Sequence, residues 1–157
     1  MRRTLVDVNL CSGCRQCEMI CSFSNENVFS SSRSRITVIR NDGSGLDLPI
    51  VCWHCNMCDA IKNCPTEALE KTEDGLVSVN EENCIGCEKC VETCVIGAIK
   101  LHPERKIPLI CDYCGGKPLC VEKCPTKALT YIKTERQQPI PVNEIIEETL
   151  RRWRIAV

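Results

Sequence analysis

The sequence predicts a small α+β protein assembled from repeated helix-and-hairpin units around bound metal, and three observations carry that expectation. Sixteen of the 157 residues are cysteine, a density found in disulfide-stapled secreted domains or in metal-loaded intracellular ones. The cysteines fall into four runs of four with none left over: Cys11, Cys14, Cys17, Cys21; Cys52, Cys55, Cys58, Cys64; Cys84, Cys87, Cys90, Cys94; and Cys111, Cys114, Cys120, Cys124. The fourth cysteine opens a repeat, Cys64-Pro65-Thr66-Glu67-Ala68-Leu69 and Cys124-Pro125-Thr126-Lys127-Ala128-Leu129, with a looser copy from Cys94 to Ile99, so internal duplication is visible in one chain.

Taken in order, Met1-Arg2-Arg3 runs into Thr4-Leu5-Val6-Asp7-Val8 with no apolar h-region behind the arginines. Neither a secretory signal peptide nor a twin-arginine signal is therefore expected, and the segment reads as a basic start before a first strand. No membrane span is expected, because no stretch approaches about 18 uninterrupted apolar residues. These readings place the chain in the cytoplasm, where clustered thiols stay reduced and bind metal. Strands are expected over residues 35–40 and 46–51, around Asn41-Asp42-Gly43. A short helix should end at each repeated fourth cysteine, followed by a turn into a strand. Residues 68–71 and 76–79 flank Asp74-Gly75, a strong hairpin signal. Beyond Pro139 and Pro141, Asn143 caps an expected helix with acidic residues early, arginines late, and Ile146, Leu150 and Trp153 on one face. Such a helix packs back on its own domain or docks on a partner; the pattern serves both equally.

Composition says why metal is needed. Hydrophobic residues make up 43% of the chain, but removing the cysteines leaves roughly a third, with few aromatics, below the share of an ordinary globular core. The first and third runs read C-x2-C-x2-C-x3-C, the bacterial ferredoxin spacing, in which the fourth cysteine ligates the other cluster. Structural zinc prefers two separated C-x2-C pairs. A third cysteine two residues after the second crowds one tetrahedral ion and suits a cubane, so iron–sulfur is favoured over zinc or disulfides. Sixteen thiolates make four complete sets for four 4Fe-4S clusters. No iron is left open for substrate, so the clusters should pass electrons rather than perform chemistry. The formal charge of −1 gives no reason to expect nucleic acid and falls to about −9 once four doubly anionic sites are counted.

On these motifs, which cover nearly everything from residue 5 to 133, the chain resembles the four-cluster ferredoxin subunits that accompany molybdenum and tungsten pterin enzymes. Cys11-Ser12-Gly13-Cys14-Arg15-Gln16-Cys17 through Phe23, with Ser34-Arg35-Ile36 and Cys52-Trp53-His54-Cys55, is similar to the small subunit of tungsten-dependent aldehyde oxidoreductases. The resemblance implies two pseudo-symmetric bacterial-ferredoxin-like dicluster modules, one inserted in the other, with a C-terminal helix. The outer module would be residues 1–51 plus 111–135, the inserted one 52–110, and the tail helix 136–157. Four sites are implied: Cys11, Cys14, Cys17 with Cys124; Cys111, Cys114, Cys120 with Cys21; Cys52, Cys55, Cys58 with Cys94; and Cys84, Cys87, Cys90 with Cys64. Spacing supports the inner pair independently, since nineteen residues separate Cys64 from Cys84, room for one hairpin, against thirty between Cys21 and Cys52.

Two runs depart from the pattern. Five residues follow Cys58 before Cys64, so either a locally looped peptide keeps Cys58 bound or the site holds a three-iron cluster or recruits Asp59. Gly115-Gly116-Lys117-Pro118-Leu119 between Cys114 and Cys120 is easily looped. His54 could ligate as in Rieske centres, but its run already supplies four thiolates, so a hydrogen-bond donor beside the cluster or a partly solvated residue is the simpler reading. His102 falls in a polar loop. Trp53, Tyr113 and Tyr131 could limit solvent access or simply pack. Lys89, Lys117, Lys123 and Lys127 could offset cluster charge or be solvated.

The expected function is a non-catalytic subunit relaying electrons between the pterin site of a large tungsten or molybdenum aldehyde-type oxidoreductase subunit and another redox subunit or soluble ferredoxin. The alternatives are a free polyferredoxin, the ferredoxin subunit of a hydrogenase or formate dehydrogenase, or a metal-stabilised structural module.

Overall fold

The computed structural model describes residues 2–43, 45–133 and 142–152. Strand β1 (Arg2–Val6) is followed by helix α1 (Gln16–Glu26), a 3-10 turn over Ser31–Arg33, and strands β2 (Ile36–Asn41) and β3 (Leu46–Val51). Helix α2 (Asp59–Lys62), strands β4 (Leu69–Lys71) and β5 (Val77–Val79), and helix α3 (Lys89–Thr93) come next. Strands β6 (Lys100–Leu101) and β7 (Pro108–Leu109), a 3-10 turn over Tyr113–Gly116, helix α4 (Leu119–Glu122), strand β8 (Leu129–Lys133) and helix α5 (Val142–Arg152) complete the α+β chain.

The described strands form two-stranded antiparallel ribbons. Three join sequence neighbours: β2 with β3, β4 with β5, and β6 with β7. The fourth is long-range, pairing Arg2 with Lys133 through to Val6 with Leu129, so the two ends of the cysteine region lie side by side. A two-stranded ribbon is marginal alone, and these lean on a shared interior. Ile36, Leu48, Ile50, Val51, Leu69, Val77 and Leu129 pack there with Cys21, Cys52, Cys90, Cys111, Cys120 and Cys124. Cysteine occupies places that Leu or Phe would fill elsewhere.

The repeat read from sequence is also a conformational repeat. The residue before a proline is steered out of the α region, so Cys64-Pro65 and Cys124-Pro125 stop α2 and α4. Three residues after the fourth cysteine stand Glu67, Gly97 and Lys127, with φ of 51°, 61° and 58°. Each donates its N–H to the carbonyl of that cysteine, a left-handed turn into the next strand or bridge. The Asp74-Gly75 hairpin forms as expected, Gly75 donating to the Thr72 carbonyl at 2.8 Å with φ 77°. The second and third helix–hairpin units meet through α2 and α3, the first and fourth through α1 and α4.

Helix α5 begins one residue before the expected cap, so Asn143 sits in its first turn rather than at the boundary. Leu150 and Thr149 are buried, and Ile145 and Ile146 pack on the core. The helix therefore folds back on its own chain. Pro139, Pro141 and Trp153 lie outside the described residues.

Candidate metal centres

Loops with left-handed residues wrap each group of cysteines. Before α1, Gly13 (φ 63°) and Arg15 (φ 57°) reverse the backbone between Cys11, Cys14 and Cys17. A Cβ on Gly13 would fall 2.3 Å from the Asp47 carboxylate, so the glycine serves both the turn and a close approach. Gly86 (φ 66°) and Glu88 (φ 65°) do the same between Cys84 and Cys90. His54 (φ 51°) and Tyr113 (φ 54°) take the matching position in the other two loops.

The structure gathers the sulfurs across the chain. The electrostatic neighbours of Cys11 include Cys14 and Cys124, and those of Cys17 include Cys11 and Cys14. Cys111 faces Cys21 and Cys114, and Cys120 faces Cys111, Cys21 and Cys114. Cys52 and Cys55 both face Cys58 and Cys94; Cys58 reaches its group because the five residues before Cys64, two more than usual, coil through α2. Cys64, Cys84, Cys87 and Cys90 line one small cavity. Two closer approaches join the groups: Cys52 feels Cys111, and Cys120 feels Cys17. Cys52, Cys55, Cys111 and Cys120 are buried, whereas Cys14 and Cys87 are exposed.

Burial, reinforced by neighbouring sulfurs and carboxylates, pushes the Cys17 and Cys111 thiols up to about 12, and burial pushes Cys55 and Cys90 up to about 11. Burial also raises Cys52 and Cys120 strongly. At Cys64 and Cys124 the upward push of burial is outweighed by backbone and threonine hydrogen bonds, so both thiols fall below their usual range. Amide N–H groups aim at sulfur throughout: Arg35 donates to Cys21 Sγ at 3.3 Å, Ala68 to Cys64 Sγ at 3.2 Å and Tyr113 to Cys111 Sγ at 3.4 Å. Several anionic sulfurs in a dry pocket need a compensating positive core, and amide donors favour the thiolate. Each group could thus supply four thiolates to one iron–sulfur cluster. Among the described residues, no three Cys, His, Asp or Glu side chains meet at the spacing of a single bound ion.

Side chains around the second run were the least legible. His54 is fully buried, not partly solvated. Its Nδ1 accepts the Val77 N–H at 2.8 Å, and burial, then Lys71 and Arg3, lower its pKa to about 4. The ring is neutral at physiological pH, with the proton on Nε2. Its edge meets Tyr113 at 4.9 Å, and the Tyr113 hydroxyl donates to the Cys52 carbonyl at 3.1 Å. His102 is also buried rather than in an open polar loop: its Nδ1 accepts the Glu104 and Arg105 N–H groups, and Nε2 lies 3.5 Å from Glu26. Lys89, Lys117, Lys123 and Lys127 stay exposed, Lys123 pairing with Glu122 at 2.6 Å. The cations that act on sulfur are others. Arg3 is 3% exposed and donates to the Trp53 and His54 carbonyls. Lys71 donates to the His54 carbonyl at 2.9 Å. Lys100 acts on Cys21, and Arg35, paired with Asp112 at 2.8 Å, acts on Cys114. Arg3 Nε, Trp53 Nε1 and His54 Nε2, three donors around one cysteine run, are buried without a partner. Each would cost about 1–3 kcal/mol if nothing accepted from it.

No protein-family model matches the chain. Its sequence is 40% identical over 121 residues to the polyferredoxin-like subunit of the aliphatic sulfonate oxidoreductase of Pyrococcus furiosus, covering 76% of this chain and 69% of that one. It is 36% identical to protein NrfC of Escherichia coli K12, covering 80% and 62%. The chain thus spans a little over three fifths to just over two thirds of these relatives' lengths. Among solved structures, a chain of the BamBC active-site complex of benzoyl coenzyme A reductase superposes with a TM-score of 0.53 at 26% identity, covering 99% of this chain and 92% of that one. With sixteen cysteines in four wrapped groups, a ferredoxin-like fold and this level of identity, the chain belongs to the polyferredoxin-like family of iron–sulfur electron-transfer subunits of oxidoreductases.

Proposed function

We propose that the chain carries four 4Fe-4S clusters, in the sets Cys84, Cys87, Cys90 with Cys64; Cys52, Cys55, Cys58 with Cys94; Cys111, Cys114, Cys120 with Cys21; and Cys11, Cys14, Cys17 with Cys124. When bound, such clusters supply one-electron transfer. The observation that carries the reading is the chain of sulfur groups: the second and fourth runs are electrostatic neighbours through Cys52 and Cys111, the fourth and first through Cys120 and Cys17, and the third meets the second through α2 and α3. The outer groups, the third and the first, have exposed cysteines, Cys87 and Cys14, and the inner two include the buried Cys52, Cys55, Cys111 and Cys120. The protein's own residues hold the thiolates, orient them through amide donors and keep water from the inner groups.

The β1–β8 ribbon supports a nested division, residues 1–51 plus 111–135 around an inserted 52–110 with the 136–157 tail outside both. The relay would join the pterin site of a large molybdenum or tungsten oxidoreductase subunit, of aldehyde type on the family resemblance, to a second redox protein. We place it in the cytoplasm, where thiols stay reduced; among the described residues no helix is long and apolar enough to cross a membrane. Protein purified without oxygen should contain roughly 16 iron and 16 acid-labile sulfide per chain and co-purify with a much larger chain. Stoichiometric zinc with little iron would refute the clusters, about 15 iron would indicate a three-iron site at Cys58, and a chain that never co-purifies would favour a free polyferredoxin.

A further inference from the structure

The four groups differ in the fixed charges around them. Cys11 faces the Asp47 carboxylate, paired with Arg40 at 3.3 Å, and Cys17 that of Glu18, 3.8 Å from Arg15. Cys111 and Cys114 face Asp112, which Arg35 neutralises, and Lys100, which also faces Glu18, acts on Cys21. Around Cys90 the interacting charges are other cysteines. The second run differs. The Lys71 ammonium acts on Cys58, Cys55 and Cys52, and the Arg3 guanidinium acts on Cys55. Arg3 also lies over the Trp53 ring, with Cζ 5.3 Å from its centroid. Both cations hang on the His54 carbonyl, placed by β1 and β4. Among the described residues neither cation forms an ion pair, and Arg3 Nε has no hydrogen-bond partner. The nearby carboxylates are engaged elsewhere, Asp59 with Lys62 at 3.2 Å and Asp112 with Arg35. Arg3 is buried and Lys71 stands at the edge of the same site; a buried cation with a second beside it and no carboxylate is unfavourable unless an anion faces them.

We propose that Arg3 and Lys71 make the cluster bound by Cys52, Cys55, Cys58 and Cys94 the most readily reduced of the four, so that an electron entering the relay comes to rest at this interior position. The inference rests on the ligand sets proposed above. One electron from a neighbouring cluster takes the site from a charge of 2− to 3−, with no bond made or broken. Fixed cations favour the more negative state, and the burial of Arg3 protects its share of the effect from screening by salt.

The test is an anaerobic redox titration of the full chain followed by EPR, comparing wild type with Lys71→Gln, Lys71→Arg, Arg3→Gln and Arg3→Lys. The signal of interest is the one altered in Cys94→Ser. In wild type it should have the highest midpoint. Lys71→Gln, whose site is exposed enough to leave the fold intact, should lower that midpoint alone, cutting the reduced-to-oxidised ratio at the wild-type midpoint by a factor of three or more. Lys71→Arg and Arg3→Lys should keep the wild-type value, which a merely structural role would not predict, and Arg3→Gln should match or exceed the Lys71→Gln shift. Full iron content with an unmoved midpoint in both glutamine variants would overturn the proposal, as would a shift in another signal. Wild-type protein lacking four clusters' worth of iron would instead overturn the ligand sets beneath it.

Discussion

Cys21 sits in the middle of α1 rather than at a helix end, and that position brings it to the fourth run instead of the second. The Arg35 amide donates to its sulfur, and Asn25 donates to its carbonyl at 2.8 Å. Replacing it with serine should disturb the cluster of Cys111, Cys114 and Cys120 while leaving the one at Cys11, Cys14 and Cys17 with its full ligand set. EPR of the variant, with each signal marked by a second substitution, reads this directly, and a change confined to the second run's signal would favour sequential pairing. At this scale the grouping of the cysteines was legible, because thiols at ligand spacing have few other uses. Arg3, Lys71 and the depth of His54 were not. Their role depends on strand register bringing residue 3 beside 53 and residue 71 beside 54, which local spacing does not encode.

Among the elements, those governed by local chemistry were readable: the Asp74-Gly75 hairpin, the β2–β3 pair around Asn41-Asp42-Gly43, and the short helices stopped by Cys-Pro. What α5 does was not readable, because an apolar stripe fits a partner as well as a home core. An isolated helix of 11 residues is marginal in water, so its packing decides whether it persists. Leu150 is 6% exposed. Leu150→Ala should cost about 2–3 kcal/mol and speed amide exchange across residues 142–152, whereas Glu147→Ala on the exposed side should change little. Equal exchange in the two variants would show that α5 is not anchored through Leu150.

For the molecule as a whole, the repeated turn after the fourth cysteine was legible from the sequence repeat, and the side-by-side placement of β1 and β8 followed from the family resemblance rather than from spacing. The interior is built on cysteine, and removing metal should remove most of the folding free energy. Stripping iron with a chelator should leave the chain largely disordered by circular dichroism; an unchanged cooperative thermal transition would argue for a self-sufficient core. The claim that unites these scales is that four clusters sit in nested ligand sets. Anomalous diffraction at the iron edge from crystals grown without oxygen locates iron directly. The expected map has four iron centres, one among Cys11, Cys14, Cys17 and Cys124, one among Cys111, Cys114, Cys120 and Cys21, and two more in the sets of Cys94 and Cys64. Fewer than four centres, or one shared by Cys21 with Cys52, Cys55 and Cys58, would contradict it.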